Sequence, residues 1–170
     1  NEKVWKLLTS FTTVNPEKGK IERTVHFIDW NNPDNNDFAV AEEVTVLREG
    51  CKDVTRRPDI VVYVNGIAMV VIELKRAAIS VAEGIRQNYR NQQDGEIPGF
   101  FSTVQLVMAG NPSEGLYYGT IKTPEKYFVK WKEPAGTAEN DKEYASPFTA
   151  ERIPNELYRS ILQMLDKRRL

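Results

Sequence analysis

Apolar residues stand at Val4, Leu7, Leu8 and Phe11, the i, i+3, i+4, i+7 spacing of an amphipathic helix, so the pattern predicts a helix over residues 2–11. Asn15-Pro16 and Gly19 end it. Residues 23–30 (RTVHFIDW) are β-branched and aromatic and predict a strand. The cluster NNPDNND over 31–37 predicts a turn. Residues 38–48 predict a second strand, long or bent, and 52–57 a polar link. Two more strands are expected over 60–64 and 67–74, joined through Asn65-Gly66. Ser80 and Glu83 form a capping-box pattern that opens a helix running to about Gln93, before Gly95. The short apolar run 103–109 reads as a buried strand, the parallel partner after a crossover helix. A turn over 110–115, short strands over 116–120 and 127–131, a loop over 134–141 and an amphipathic helix over 155–167 complete the pattern. The expected architecture is an α/β sandwich with a mixed central β-sheet flanked by helices, in a single domain over 1–170.

Composition narrows the classes. The 170 residues are 41% hydrophobic, enough for one real core, and no apolar run approaches the roughly 20 residues of a membrane span. Cys51 stands alone, which excludes a disulfide framework and a cysteine zinc site. The single His26 excludes a histidine-rich metal cluster, and in an apolar strand it reads as structural. The chain starts at Asn1 rather than Met and opens abruptly on an amphipathic segment, so a fragment of a longer chain is expected. The net charge of −1 is not that of a protein that grips DNA alone. Basic residues nonetheless collect at Arg56, Arg57, Lys75, Arg76, Arg86 and Arg90. A local phosphate-binding patch is therefore open, with Arg57, Arg76, Arg86 and Arg90 as its DNA-binding candidates.

Residues 56–75, RRPDIVVYVNGIAMVVIELK, carry the chemistry. Asp59 follows a proline, and Glu73-Leu74-Lys75 closes the apolar run fourteen residues later. Mg²⁺ prefers oxygen ligands and usually takes one or two carboxylates while keeping waters. Asp59 and Glu73 supply such oxygens, with the Leu74 backbone carbonyl as a third. Lys75, two residues from Glu73 on a strand and so on the same face, is placed to orient an attacking water or offset charge on phosphorus. An acid and a lysine two apart are commonly only a solvated face. Here the strand VVIELK is too apolar for a surface strand, which puts its charges at a strand end facing a cleft. For Asp59 to share that face the hairpin must contain an extra residue. A three-residue loop Val64-Asn65-Gly66 achieves this; a bulge elsewhere or an irregular start at Pro58-Asp59 serves as well.

Read outward, the motif grows. Asp29, Trp30, Pro33, Asn36 and Phe38 precede Arg57-Pro58-Asp59, Val64-Asn65-Gly66 and Glu73-Leu74-Lys75, with Gln105-Leu106 and Ala109-Gly110-Asn111 beyond. This series resembles the amino-terminal nuclease domain of the restriction (R) subunit of type I restriction enzymes over roughly residues 20–132. The resemblance implies a restriction-endonuclease-like PD-(D/E)XK core and Mg²⁺-dependent hydrolysis of double-stranded DNA. It also implies modification and specificity subunits as partners, a cytoplasmic location, and ATP use only through motor domains. This chain holds no GxxxxGK[ST] phosphate loop. In that family a Gln-x-x-x-Tyr pair follows the ExK motif. Gln87 matches the first position and is expected to point toward the Glu73–Lys75 end of the sheet; Asn91 stands at the second, and Tyr89 is far around the helix from it. Two alternatives stay open: a repair or recombination nuclease of the same superfamily, and a non-catalytic DNA-interaction module that keeps the fold.

Overall fold

A computed structural model describes residues 2–15, 21–132 and 155–167. The centre is a six-stranded mixed sheet. In chain order its strands are β3 (Phe38–Glu42), β6 (Ile60–Val64), β7 (Ile67–Leu74), β8 (Leu106–Asn111), β9 (Gly115–Gly119) and β10 (Val129–Lys130). They lie in the spatial order β10-β9-β8-β7-β6-β3. Only β7 and β8 are parallel, because helix α2 (Val81–Asn91) crosses between them. The other neighbours are antiparallel. Two small sheets stand apart: β1 (Phe11–Val14) with β2 (Arg23–His26), and β4 (Val46–Leu47) with β5 (Thr55–Arg56).

Alternation along the strands divides the core between two faces. On one face Val62, Val70, Ile72, Met108 and Leu116 pack with Leu8 of α1 (Glu2–Thr9) and Met164 of α3 (Glu156–Met164). On the other, Val61, Val71 and Val107 meet Ile97, Phe101 and Val104, while Ala109 meets Val81 and Ile85 of α2. The mixed sheet between helices agrees with the sequence expectation.

Several boundaries differ, each for a local reason. The first helix stops at Thr9, and Phe11 enters β1 instead. The strand expected over 23–30 is only Arg23–His26 and pairs with β1, outside the central sheet. The strand expected over 38–48 breaks at Glu43, whose φ is +52°, and its two pieces join different sheets. Residues 55–56, expected as link, form β5. The strand expected over 103–109 starts at Leu106, because Phe100–Ser102 form a 3₁₀ turn and Thr103 Oγ1 donates to the Ala68 carbonyl at 2.8 Å. The turn 125–127 shortens the strand expected over 127–131 to Val129–Lys130. The loop expected over 134–141 lies outside the described residues.

The Asp-Trp-x-x-Pro-x-x-Asn series is a polar clasp. Asp29 accepts hydrogen bonds from the Asn31 and Asn32 amides and from Asn35 Nδ2. Asn36 Oδ1 accepts from the Asp29 amide and from Asn65 Nδ2, both at 2.8 Å. Asn65, at φ +51° in the β6–β7 turn, also accepts from the Asp37 amide and donates to the Phe27 carbonyl. Trp30 Nε1 donates to the Leu8 carbonyl, tying the loop to α1. Asn65→Ala is therefore expected to cost about 2–4 kcal/mol, from a left-handed backbone without Asn's local compensation and the lost hydrogen bonds. Urea unfolding of the two chains checks this; a change below about 0.5 kcal/mol would make the clasp incidental.

Candidate active site

The β6–β7 hairpin sets the site's geometry. Asn65 and Gly66 both have positive φ, the signature of a two-residue type I′ turn, so the loop is not the three-residue Val64-Asn65-Gly66 arrangement. The extra residue lies further along. Tyr63 pairs with Ala68 but Val62 pairs with Val70, which leaves Met69 as a bulge. Beyond it Ile60 pairs with Ile72, so the register carries Asp59 directly opposite Glu73. One inserted residue thus brings both carboxylates to one face, roughly 25 Å of strand away from the turn.

Each side chain is held by its neighbours. Asp59 Oδ2 accepts from the Leu74 amide at 2.8 Å, and the Asp59 carbonyl accepts from the Glu43 amide at 2.8 Å. The Lys75 amide donates to the Gly110 carbonyl at 2.9 Å. Lys75 Nζ donates to Gln87 Oε1 at 2.8 Å and lies 3.5 Å from Glu73 Oε2. Gln87 therefore points from α2 to the Glu73–Lys75 end, as the spacing predicts. Asp59, Glu73, Lys75 and Gln87 come together.

Glu73 is fully buried, and neither carboxylate oxygen receives a hydrogen bond. Its carboxyl is pushed up to about 8, first by burial and then by the charge of Asp59, with Lys75 acting the other way. This corrects the picture of both acids in a solvated cleft: Asp59 is half-buried, but Glu73 sits inside the fold beneath α2. Two adjacent carboxylates, one with orphaned oxygens, form a hard-oxygen donor set that a divalent cation would complete. Among the described residues no group of three or more His, Cys, Asp or Glu is placed to hold a metal ion.

Helix α2 is set by residues whose roles the sequence pattern left unread. Ser80 Oγ accepts from the Ala82 amide at 3.3 Å, but the reciprocal arm of the capping box is missing. Glu83 binds Arg86 at 2.8 Å, and the Val81 amide is taken by Glu114 Oε1 at 2.9 Å. Asn111 Nδ2 donates to both Glu114 Oε1 and the Ile79 carbonyl. Gly84 lets the helix sit close: a Cβ there would stand 3.1 Å from Ala109 Cβ and 3.5 Å from Glu73 Cβ. Gly84→Ala should gain helix propensity of about 1 kcal/mol and lose more through crowding against a fully buried strand. We expect a net loss of about 1 kcal/mol in chemical unfolding; a stabilised variant would show that the helix has room to shift. A glycine within an otherwise helical pattern was the available signal. Glu114 carried none, since its partner lies 33 residues away.

The basic candidates divide. Arg86 is held by both oxygens of Glu125, at 2.8 and 3.0 Å, and by Glu83, so its donors are occupied. Arg57 is exposed and 3.3 Å from Glu43. Arg76 and Arg90 are exposed, with no salt bridge within 4 Å among the described residues. Asn91 is buried one turn beyond Gln87, with its Oδ1 unpartnered, and Tyr89 is exposed, so no phenol stands at Asn91's place.

An α/β protein whose mixed sheet gathers two carboxylates, a lysine and a glutamine at one end is the class that this architecture defines. The family model of the type I restriction enzyme R protein N terminus matches residues 1–126. The chain belongs to that family. It is 27% identical over 110 residues to a Methanocaldococcus jannaschii protein named as the type I restriction enzyme MjaIXP endonuclease subunit, covering 65% of this chain and 11% of that one. It is 32% identical over 111 residues to the MjaVIIIP endonuclease subunit, similarly named, of the same organism, covering 64% of this chain and 10% of that one. The chain thus spans about a tenth of the length of these curated relatives. No helix among the described residues is long and apolar enough to cross a membrane.

Proposed function

We propose that this chain is the Mg²⁺-dependent endonuclease domain of a type I restriction R subunit, with a PD-(D/E)XK core, hydrolysing phosphodiester bonds of double-stranded DNA. The observation that carries the reading is the bulged register that sets Asp59 opposite Glu73 with Lys75 Nζ 3.5 Å from the buried carboxylate. The family membership and the names of the relatives support it.

Asp59, Glu73 and the Leu74 carbonyl are the residues that would hold Mg²⁺. When bound, the ion supplies Lewis-acid polarisation of the phosphate and a water of lowered pKa. The chain's own residues do the rest. The Leu74 amide fixes the Asp59 carboxylate, and Gln87 fixes the Lys75 ammonium. Lys75 places one positive charge where negative charge grows on phosphorus, or orients the attacking water. Burial of Glu73 keeps water off its oxygens and raises the energy of its ionised form, which Lys75 offsets only in part. A cation therefore gains more there than at an exposed acid. ATP use, and partnership with modification and specificity subunits, belong to the longer protein in this reading. The location is the cytoplasm, with DNA. The test is cleavage of plasmid DNA by the parent complex with Mg²⁺, compared with alanine replacements at Asp59, Glu73 and Lys75.

A further inference from the structure

The β4–β5 hairpin leads directly into Arg57-Pro58-Asp59, and it is tied to the segment after α2 around one carboxylate. Glu96 Oε2 lies 2.6 Å from Arg56 Nε and 3.3 Å from Arg48 Nε, and Glu96 Oε1 accepts from Arg56 Nη2 at 2.9 Å. The Arg56 hydrogen bond, with the charges of Arg48, Arg56 and Arg90, holds the Glu96 carboxyl below its ordinary range. Two guanidinium groups thus contact one acid, and Arg90 stands two turns before it, since the Gln93 amide donates to the Arg90 carbonyl at 2.9 Å and the Glu96 amide to the Gln93 carbonyl at 3.0 Å. The nearby Glu49 directs its Oε1 to the Gly99 amide at 3.3 Å.

The donors are unevenly used. Arg48 places Nε on the Gly95 carbonyl at 2.9 Å and on Glu96, leaving both η nitrogens without a hydrogen bond. Arg90 is exposed and makes no ion pair within 4 Å among the described residues. Arg56, by contrast, donates from Nη1 to the Thr55 carbonyl and from Nη2 to Glu96, and its Nε lies 2.6 Å from Glu96 Oε2. Free guanidinium edges in a net-positive cluster match the oxygens of a phosphate diester, which a fork of N–H groups binds in pairs.

The cluster also has the right place. Glu73 faces α2, where a Gly84 Cβ would approach its own Cβ. Val44 and Val46, which lead into the hairpin, pack on the same side of the sheet through Val61 and Val71. The hairpin and α2 therefore flank one sheet face, with Asp59 and Glu73 at its end. Arg56 is three residues before Asp59, at most about 10 Å of chain. Arg90 is three residues past Gln87, about 5 Å between neighbouring Cβ atoms on a helix. Those spans correspond to at most about three nucleotides of rise at ~3.4 Å each along one strand.

We propose that Arg48 and Arg90, arranged around Glu96, form a seat for a backbone phosphate of the DNA strand flanking the cut. Arg56 holds Glu96 in place, and Glu96 limits the charge of the seat while DNA is absent. The inference rests on the nuclease reading and adds a binding site to it.

The experiment is fluorescence anisotropy of a labelled DNA duplex with the full chain, without divalent metal, across 50–200 mM salt. Arg48→Ala and Arg90→Ala should each weaken binding and make the log–log salt slope shallower by about 0.9. Glu96→Gln should tighten binding, because it removes the acid that competes with phosphate. A cluster that only staples the hairpin gives a different pattern: Glu96→Gln lowers the melting temperature and leaves affinity unchanged or weaker. That pattern, an unchanged slope in folded Arg90→Ala, or no duplex binding by the wild-type chain at 50 mM salt, overturns the seat. Arg90 makes no ion pair within 4 Å among the described residues, so its variant is expected to fold and stays informative. Cleavage by the parent complex separates the two readings. Arginine-sensitive binding without any metal-dependent cutting removes the nuclease reading and keeps the seat. Cutting with arginine-insensitive binding does the reverse.

Discussion

Replacing Asp59 or Glu73 with alanine is expected to abolish DNA cleavage by the parent complex, while ATP hydrolysis and DNA translocation continue. The two carboxylates are the charged part of the donor set, and the bulge at Met69 makes them a pair. Losing either leaves one acid beside a lysine, which does not hold a hard divalent ion well. Lys75→Ala removes one cation from the transition state, and loss of one such electrostatic donor costs about 10²–10³ in rate. Gln87→Ala should cost less, because it frees the Lys75 ammonium without removing it. The assay is plasmid cleavage with Mg²⁺ and ATP, with the ATPase rate as control for assembly. Full cutting by a Glu73→Ala complex would refute the mechanism, and an equal loss of ATPase would assign the defect to folding or assembly instead.

Glu73→Gln is expected to stabilise the metal-free chain at alkaline pH. The Glu73 carboxyl is raised to about 8 in the folded chain, chiefly by burial. Its ordinary value is 4.5. Between those values the folded chain keeps a proton that the unfolded chain has lost. Stability therefore falls as pH rises from about 4.5 to about 8 and levels off above that. Glutamine does not titrate and does not bury a charge. The two chains should unfold alike near pH 4.5 and differ by a few kcal/mol at pH 8.5, of order 5–10 °C in melting temperature. On the proposed Mg²⁺ reading, millimolar Mg²⁺ should then reverse the order, because a ligand of the folded wild type alone stabilises only that chain. Thermal melts in chelator across pH 4.5–9 decide the matter. Parallel curves for the two chains would show that Glu73 is not held protonated by its surroundings.

The same observation changes what removal of Glu73 means for folding. At a solvated cleft its loss would leave stability nearly unchanged. Buried beneath α2 with neither oxygen hydrogen-bonded, it is a local cost to the fold, which the proposed catalytic role would explain. The acid sits in the sheet, supported on either side by Val71, Ile72 and Ala109, each at most 1% exposed. That packing is what keeps an unfavourable carboxylate in place.

Much was legible along the chain. The apolar runs of 60–64 and 67–74 marked the central hairpin, because a strand buried on both faces leaves few polar positions. The Ser80–Glu83 pattern and Gly95 marked α2, and the buried run after it marked the parallel partner of β7. The residue types Asp59, Glu73, Lys75 and Gln87 named the candidate chemistry before any fold was known. The need for an extra residue in the hairpin followed from the two-residue period of side chains alone.

Tertiary structure decided where that residue went and what each neighbour does. The turn kept Asn65-Gly66 in the I′ form, because Asn65 is bound to Phe27, Asn36 and Asp37, and the mismatch moved to Met69. Glu43 leaves its strand in a left-handed conformation while its amide still donates to the Asp59 carbonyl across the β3–β6 pair. Glu114 caps α2 from 33 residues away, and Glu125 occupies Arg86 from 39 residues away. Local patterns record what a residue prefers over three or four neighbours. They carry no signal for a partner brought in by the sheet. The sequence by itself therefore determined the central hairpin, helix α2 and the candidate set of reactive side chains. Only the packing of distant segments determined the register that joins Asp59 to Glu73, the burial that raises Glu73, and which arginines remain free.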